Sequence, residues 1–180
     1  MTQERRNAIN ALSDEVRQYL SLDLPIDVDD AIKKLGGSIV EVDEMKDGGE
    51  AFIKKTGSRS FEITIHSENS DTRKRFTKAH ELGHLFLHMG YMIDEKQWNT
   101  WGERKLYRDS AYLNPRYSVE EIEAHEFAAS LLMPKKEFTE VVQQNTQNRM
   151  CNIKNVADKF NVSVDAAKTR GRWLGILSWE

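Results

Sequence analysis

The chain has almost no cysteine. Cys151 is alone among 180 residues, so an intramolecular disulfide and a Cys-rich metal site are both excluded, and a reducing compartment is implied. Long apolar runs are missing too. No segment approaches the roughly 18 apolar residues of a membrane span, and the N-terminal MTQERRNAINALSDEV has no apolar core of the kind a secretory signal needs. The expectation is a cytoplasmic protein without membrane contact. Nor does either sign of charge dominate: 26 basic against 29 acidic side chains leave a formal charge of -3, with no global attraction to nucleic acid or to an anionic surface. Any such partner would need a local patch. Repeats and low-complexity tracts are absent, and 180 residues suffice for one domain, or a domain with an appendage, that buries its core without disulfides.

What is present is a sequence of short elements. Residues 4 to 20 place Ile9, Leu12, Val16, Tyr19 and Leu20 at helical spacing with charges opposite, which predicts an amphipathic helix packed on the body. Ile26 to Leu35 carries Asp27, Asp29 and Asp30 early and Lys33 and Lys34 late, complementing a helix dipole, before Gly36-Gly37 stops it. Residues 38 to 42, 50 to 55 and 61 to 66 read as strands, the last with Phe61, Ile63 and Ile65 alternating against Glu62, Thr64 and His66. A small antiparallel sheet is predicted. From Asp71 the period becomes helical up to about Gly90, with Gly83 inside at a cost of about 1 kcal/mol relative to alanine, a hint that another backbone approaches there. Residues 91 to 117 show no clean period and read as a long connection able to cover a cleft. A helix capped by Ser118 and ended by Pro134 follows, then a shorter one at 135 to 144 and two more from 153.

The helix from Asp71 contains His80-Glu81-Leu82-Gly83-His84. At 3.6 residues per turn, His80 and His84 lie about 40° apart around the axis, so both imidazoles can reach one ion. Glu81 points about 100° away from His80, where a general base would stand beside water activated at the metal. Catalytic zinc takes three protein ligands and keeps one position open, so a third donor is required. His88, about 12 Å along the axis from His80, is too far to share the ion. The acidic stretch Glu120, Glu121 and Glu123 is the better source, and the residues alone leave all three carboxylates open. Ser118 and Glu121 also form a capping-box pattern, in which the carboxylate would fold back onto a backbone amide. His66 reads as a polar residue on a strand, and Cys151 as incidental.

RFTKAHELGHLFLH at 75 to 88, followed by EIEAHEFAASLLMP at 121 to 134, resembles the ImmA/IrrE family of zinc metallo-endopeptidases in order and spacing. The similarity extends more weakly over the early helix, the strands and VADKFNVSVDAAKTRGRWLG, and so covers most of the chain. It implies an α+β fold: a zincin-like metalloprotease domain over residues 1–145, with a small antiparallel sheet and an active-site helix, and a C-terminal helical segment over 146–180 packed on it. It implies Zn2+ held by His80, His84 and Glu121, the last matching the Glu of the family's E-x-x-A-N/D block, with Glu81 as catalytic base. Where that block ends in Asn or Asp this chain has His125, one turn from Glu121, at the position that would hydrogen-bond behind a ligand imidazole. In similar proteases an edge strand at the place of residues 61 to 66 pairs with extended substrate. A donor for the transition state is expected among Tyr107, Tyr112, Arg116 and Tyr117. The implied partner is a protein substrate, a helix-turn-helix repressor that such proteases cleave or otherwise disable.

The competing reading is a non-catalytic regulatory module that binds a repressor or DNA and uses its metal structurally. Ala157, Phe160, Val162 and Ala166 are spaced as in a helix-turn-helix, with Ser163 as a cap and Lys168, Arg170 and Arg172 as a basic cluster. The net acidic charge argues against direct nucleic-acid binding. The presence of Glu81 favours catalysis, because a structural site needs no base.

Overall fold

A computed structural model describes residues 1–45, 50–101 and 118–178, and of residues 105–107 the strand they form. Helix α1 (Gln3–Tyr19) starts where Thr2 Oγ1 accepts from the Arg5 N–H, and α2 (Val28–Lys34) where Asp27 accepts from the Asp30 N–H. Strands β1 (Gly37–Val42), β2 (Ala51–Gly57) and β3 (Ser60–His66) precede α3 (Asp71–Leu87). Then come α4 (Glu95–Thr100), β4 (Lys105–Tyr107), α5 (Val119–Leu132) and α6 (Lys135–Gln144). A two-residue ladder of β5 (Thr146–Gln147) and β6 (Met150–Cys151) leads to α7 (Ile153–Phe160) and α8 (Val164–Trp173). The fold is mixed α+β.

The sheet departs from the expected antiparallel arrangement. Its order is β1-β3-β2-β4; β2 is antiparallel to β3 and β4, but β1 runs parallel to β3. Strand β3 therefore sits in the middle, not at an edge, and cannot offer its backbone to a substrate. The reason lies in its side chains: Phe61, Ile63, Thr64 and Ile65 are all buried, and only a strand flanked on both sides protects so apolar a segment. The two-residue turn at Ser58 and Arg59 fixes β2 beside β3, which leaves β3's other side for β1. Residues 91 to 101, expected to be irregular, contain α4. At six residues it is too short to show a period, but Asp94 caps it and Trp98 buries it.

Helix α3 lies at the centre, touching β2 and β3 on one side and α5 on another. Every residue from Thr77 to Phe86 is buried, a run that includes both histidines and Glu81. The close approach anticipated at Gly83 is with α5: a Cβ at that position would lie 2.9 Å from Ala124 Cα and 3.0 Å from its carbonyl oxygen. Helix α5 is in turn covered by α1, where Ser13 Oγ and Ser130 Oγ are 2.5 Å apart. Arg170 of α8, 2% exposed, ties the end of the chain to this stack. It donates to Glu126 at 2.9 Å, to Asn10 Oδ1 at 2.8 Å and to the Met133 carbonyl at 3.1 Å. None of the described helices is long and apolar enough to cross a membrane.

Candidate metal centre

The crossing of α3 and α5 brings together residues that are far apart in sequence. His80 and His84, one turn apart on α3, place their Nε2 atoms 3.0 Å from each other. The Glu121 carboxylate spans the pair, with Oε2 3.2 Å from His80 Nε2 and Oε1 3.1 Å from His84 Nε2. Donors on a tetrahedral ion with bonds of about 2.0–2.1 Å are separated by about 3.3 Å, so these three already lie near the spacing a metal would impose. Nitrogen and carboxylate oxygen are also the donor types such an ion takes. Burial pushes the Glu121 carboxyl up, but the hydrogen bonds and charges of His80 and His84 outweigh it and hold the group well below the usual carboxylate range.

Of the three acids open to sequence reasoning, Glu120 is exposed and Glu123 turns the other way, toward α1, where Arg5 grips it at 2.6 and 2.8 Å. The Arg5 guanidinium holds the Glu123 carboxyl below its ordinary value, against the opposing effect of burial. Ser118 does cap α5, its Oγ accepting from the Glu121 N–H at 3.1 Å, while the Glu121 side chain reaches the imidazoles. Glu81 is 2% exposed on α3, beside His80. His125 is exposed and stacks edge-to-face on His80, ring centroids 4.4 Å apart, with its Nδ1 2.8 Å from the Glu121 carbonyl oxygen. His80, Glu121 and His125 can each present a donor atom within 4.8 Å of the others, so His125 is a further candidate donor beside His80 and Glu121. Tyr112, Arg116 and Tyr117 lie outside the described residues, and of Tyr107 only its strand is described.

His88, read from the sequence as a helix-end residue or a group behind a ligand, stands behind His84. His88 Nδ1 is 2.9 Å from His84 Nδ1, and His88 Nε2 is 3.4 Å from Glu123 Oε2. Burial, aided by the neighbouring His84, lowers the His88 pKa. The i, i+4, i+8 series His80, His84, His88 carried that signal; its span excluded His88 only as a ligand to the same ion.

The fold and this cluster define a mixed α+β domain whose buried histidine–glutamate centre is suited to a metal ion. The profile of the IrrE N-terminal-like domain family, Peptidase_M78, matches residues 39–171, and the chain belongs to that family. Among solved structures, a Mycobacterium tuberculosis transcriptional regulator is similar at 16% identity and a TM-score of 0.60, over 93% of this chain and 48% of that one. The chain thus spans about half the length of that protein, and the likeness is one of fold. Comparison with curated proteins finds no match.

Proposed function

We propose that this protein is a zinc-dependent endopeptidase that cleaves a regulatory protein, with a helix-turn-helix repressor as the substrate class. The observation that carries the reading is the Glu121 carboxylate spanning His80 and His84 while a further acid, Glu81, is buried next to them on the same helix. His80 and His84 would hold the ion through Nε2 and Glu121 through its carboxylate. Zinc bound there supplies polarisation of the scissile carbonyl and a lowered pKa for water. Glu81 accepts the proton of the attacking water on a carboxylate oxygen and returns it to the leaving amine nitrogen. Because β3 is enclosed by β1 and β2, extended substrate would pair with a sheet edge, for which β4 and β1 are the candidates among the described strands.

The test combines metal content with cleavage. The purified protein should carry about one zinc per chain, and a repressor encoded beside it should be cut by the wild type and left intact by Glu81→Gln, with zinc retained. Zinc bound without cleavage of any such repressor would refute the proteolytic reading. One observation favours the second reading, a repressor-binding module with a structural ion: His125 can present a donor atom within 4.8 Å of donors on both His80 and Glu121, and a protein donor there would take a position that a catalytic site leaves to water. In that case Glu81→Gln would leave relief of repression unchanged. Direct DNA binding has less support, since Arg170, the middle of the basic cluster, is buried against Glu126.

A further inference from the structure

We propose that the face formed by Tyr19, Met92 and Ile93 is an isologous interface through which two copies of this chain associate. It is independent of the metal centre and its chemistry. Large apolar side chains left in water carry the inference. Eight are exposed among the described residues, and three of them, Tyr19 at 72%, Met92 at 60% and Ile93 at 55%, line a single hollow of about 790 Å³. Scattered singly such residues need no explanation, but gathered on one concave face they mark a docking surface. Tyr19 ends α1, and Met92 and Ile93 occupy the turn between α3 and α4. That turn is fixed, because the Gly90 carbonyl accepts from the Ile93 N–H at 3.1 Å and from the Asp94 N–H at 2.8 Å. Met92 is held at φ +59, a region that methionine rarely adopts, so a strained backbone presents it to solvent. The hollow is equally firm. Leu35, Tyr91 and Trp98 line it, the last two meeting edge to face with ring centroids 4.8 Å apart, and the Trp98 indole donates to the Ser58 carbonyl at 2.7 Å.

The occupant is a second copy because the face is complementary to itself. It carries exposed apolar side chains, Met92 and Ile93, at the rim of a hollow, and a two-fold rotation sets the rim of each copy against the hollow of the other. Its charges have the same property. Arg59 and Glu95 both line the hollow, both are exposed, and neither has an ion-pair partner among the described residues, whereas Lys34 beside them is already paired with Asp30 at 2.8 Å. A face matched to an acidic or a basic partner would offer charge of one sign. One that offers both is matched by its own rotated copy, with Arg59 of each chain against Glu95 of the other. Because turn and hollow are both preformed, little ordering is needed when two copies meet.

Sedimentation equilibrium of the full chain over a concentration series tests it. Wild type should shift from the 20.8 kDa of one chain toward twice that mass as concentration rises. Ile93→Asp places a charge in the interface twice per dimer and should raise the dissociation constant by about a hundredfold or more. Met92→Asn should raise it about tenfold or more. Asparagine tolerates a left-handed φ, so this variant keeps the turn and decides the matter if Ile93→Asp fails to fold. Arg59→Glu and Glu95→Arg should each associate at least about tenfold more weakly alone. An equimolar mixture of the two should recover a dimer, since both cross-pairs then join opposite signs. A wild type that stays at the monomer mass, with a dissociation constant weaker than about 1 mM, would overturn the proposal and leave the face to a partner of another kind. So would a dimer that persists unchanged in Ile93→Asp and Met92→Asn, or a mixture of the two charge variants that fails to associate. None of these masses depends on zinc or on cleavage, so failure here is distinct from failure of the peptidase reading.

Discussion

Replacing Gly83 by alanine separates two opposing effects at the heart of the fold. In an isolated helix the change should stabilise by about 1 kcal/mol. Here the added Cβ would stand 2.9 Å from Ala124 Cα, 3.0 Å from its carbonyl oxygen and 3.2 Å from Phe127 Cβ. Ordinary carbon contacts are about 3.5–4.0 Å, and two of these atoms belong to backbone that cannot rotate away, so α3 and α5 must separate by roughly half an ångström or more. Overpacking of this kind costs about 1–3 kcal/mol, which cancels or outweighs the propensity gain and predicts a net loss of up to about 2 kcal/mol. The same separation opens the centre, since His80 and His84 flank Gly83 while Glu121 is one turn before Ala124. Zinc affinity should fall about tenfold or more, equivalent to about 1.4 kcal/mol. Urea unfolding of the zinc-free protein gives the first quantity and chelator competition the second. A variant more stable by about 1 kcal/mol with unchanged zinc affinity would refute the packing argument.

Further perturbations reach other parts of the structure. Glu121→Gln should weaken zinc by more than about a hundredfold, beyond the effect of an outer hydrogen-bond partner. Glu123→Gln should fall within that outer range and Glu120→Gln should have no effect, so equal losses in a titration series would displace Glu121 as the third ligand. Arg170→Met leaves Glu126 buried with Arg6, 3.4 Å away, as its remaining cation among the described residues, and should cost about 3 kcal/mol in denaturant unfolding. A loss below about 1 kcal/mol would mean that the pair does not hold α8 to the body. Tyr91, 4% exposed, donates to the Leu35 carbonyl at 2.6 Å, and burial raises its pKa. A folded-state pKa above the unfolded one stabilises fully below about pH 10 and is lost as pH rises through the folded value. Tyr91→Phe should therefore cost about 1–2 kcal/mol at neutral pH and show a flatter alkaline limb in thermal unfolding; parallel limbs would contradict the shift.

Local features of the chain were legible because their causes are local. The four-residue spacing of His80 and His84 places both on one helix face whatever surrounds them, and the caps at Ser118 and Ser163 mark helix starts through bonds to amides three residues on. Gly83 inside an otherwise helical run pointed to a close crossing, and the crossing is there. Periodicity could not reveal α4, a helix of six residues, or the parallel pairing of β1 with β3, because alternation along a strand is the same for either direction of its neighbour.

Sequence alone determined the chemistry on offer: two imidazoles and a base on one helix, and three acids on another, of which resemblance singled out Glu121. Tertiary structure decided which acid faces the histidines, because the rotation of α5 against α3 turns Glu121 to His80 and His84 and Glu123 to Arg5. It also decided that β3 is enclosed, that Arg170 is an internal tie, and that His88 stands behind His84. Each of these depends on contacts between segments distant along the chain, whose relative placement is set by how the whole core packs and not by the residues of any one segment.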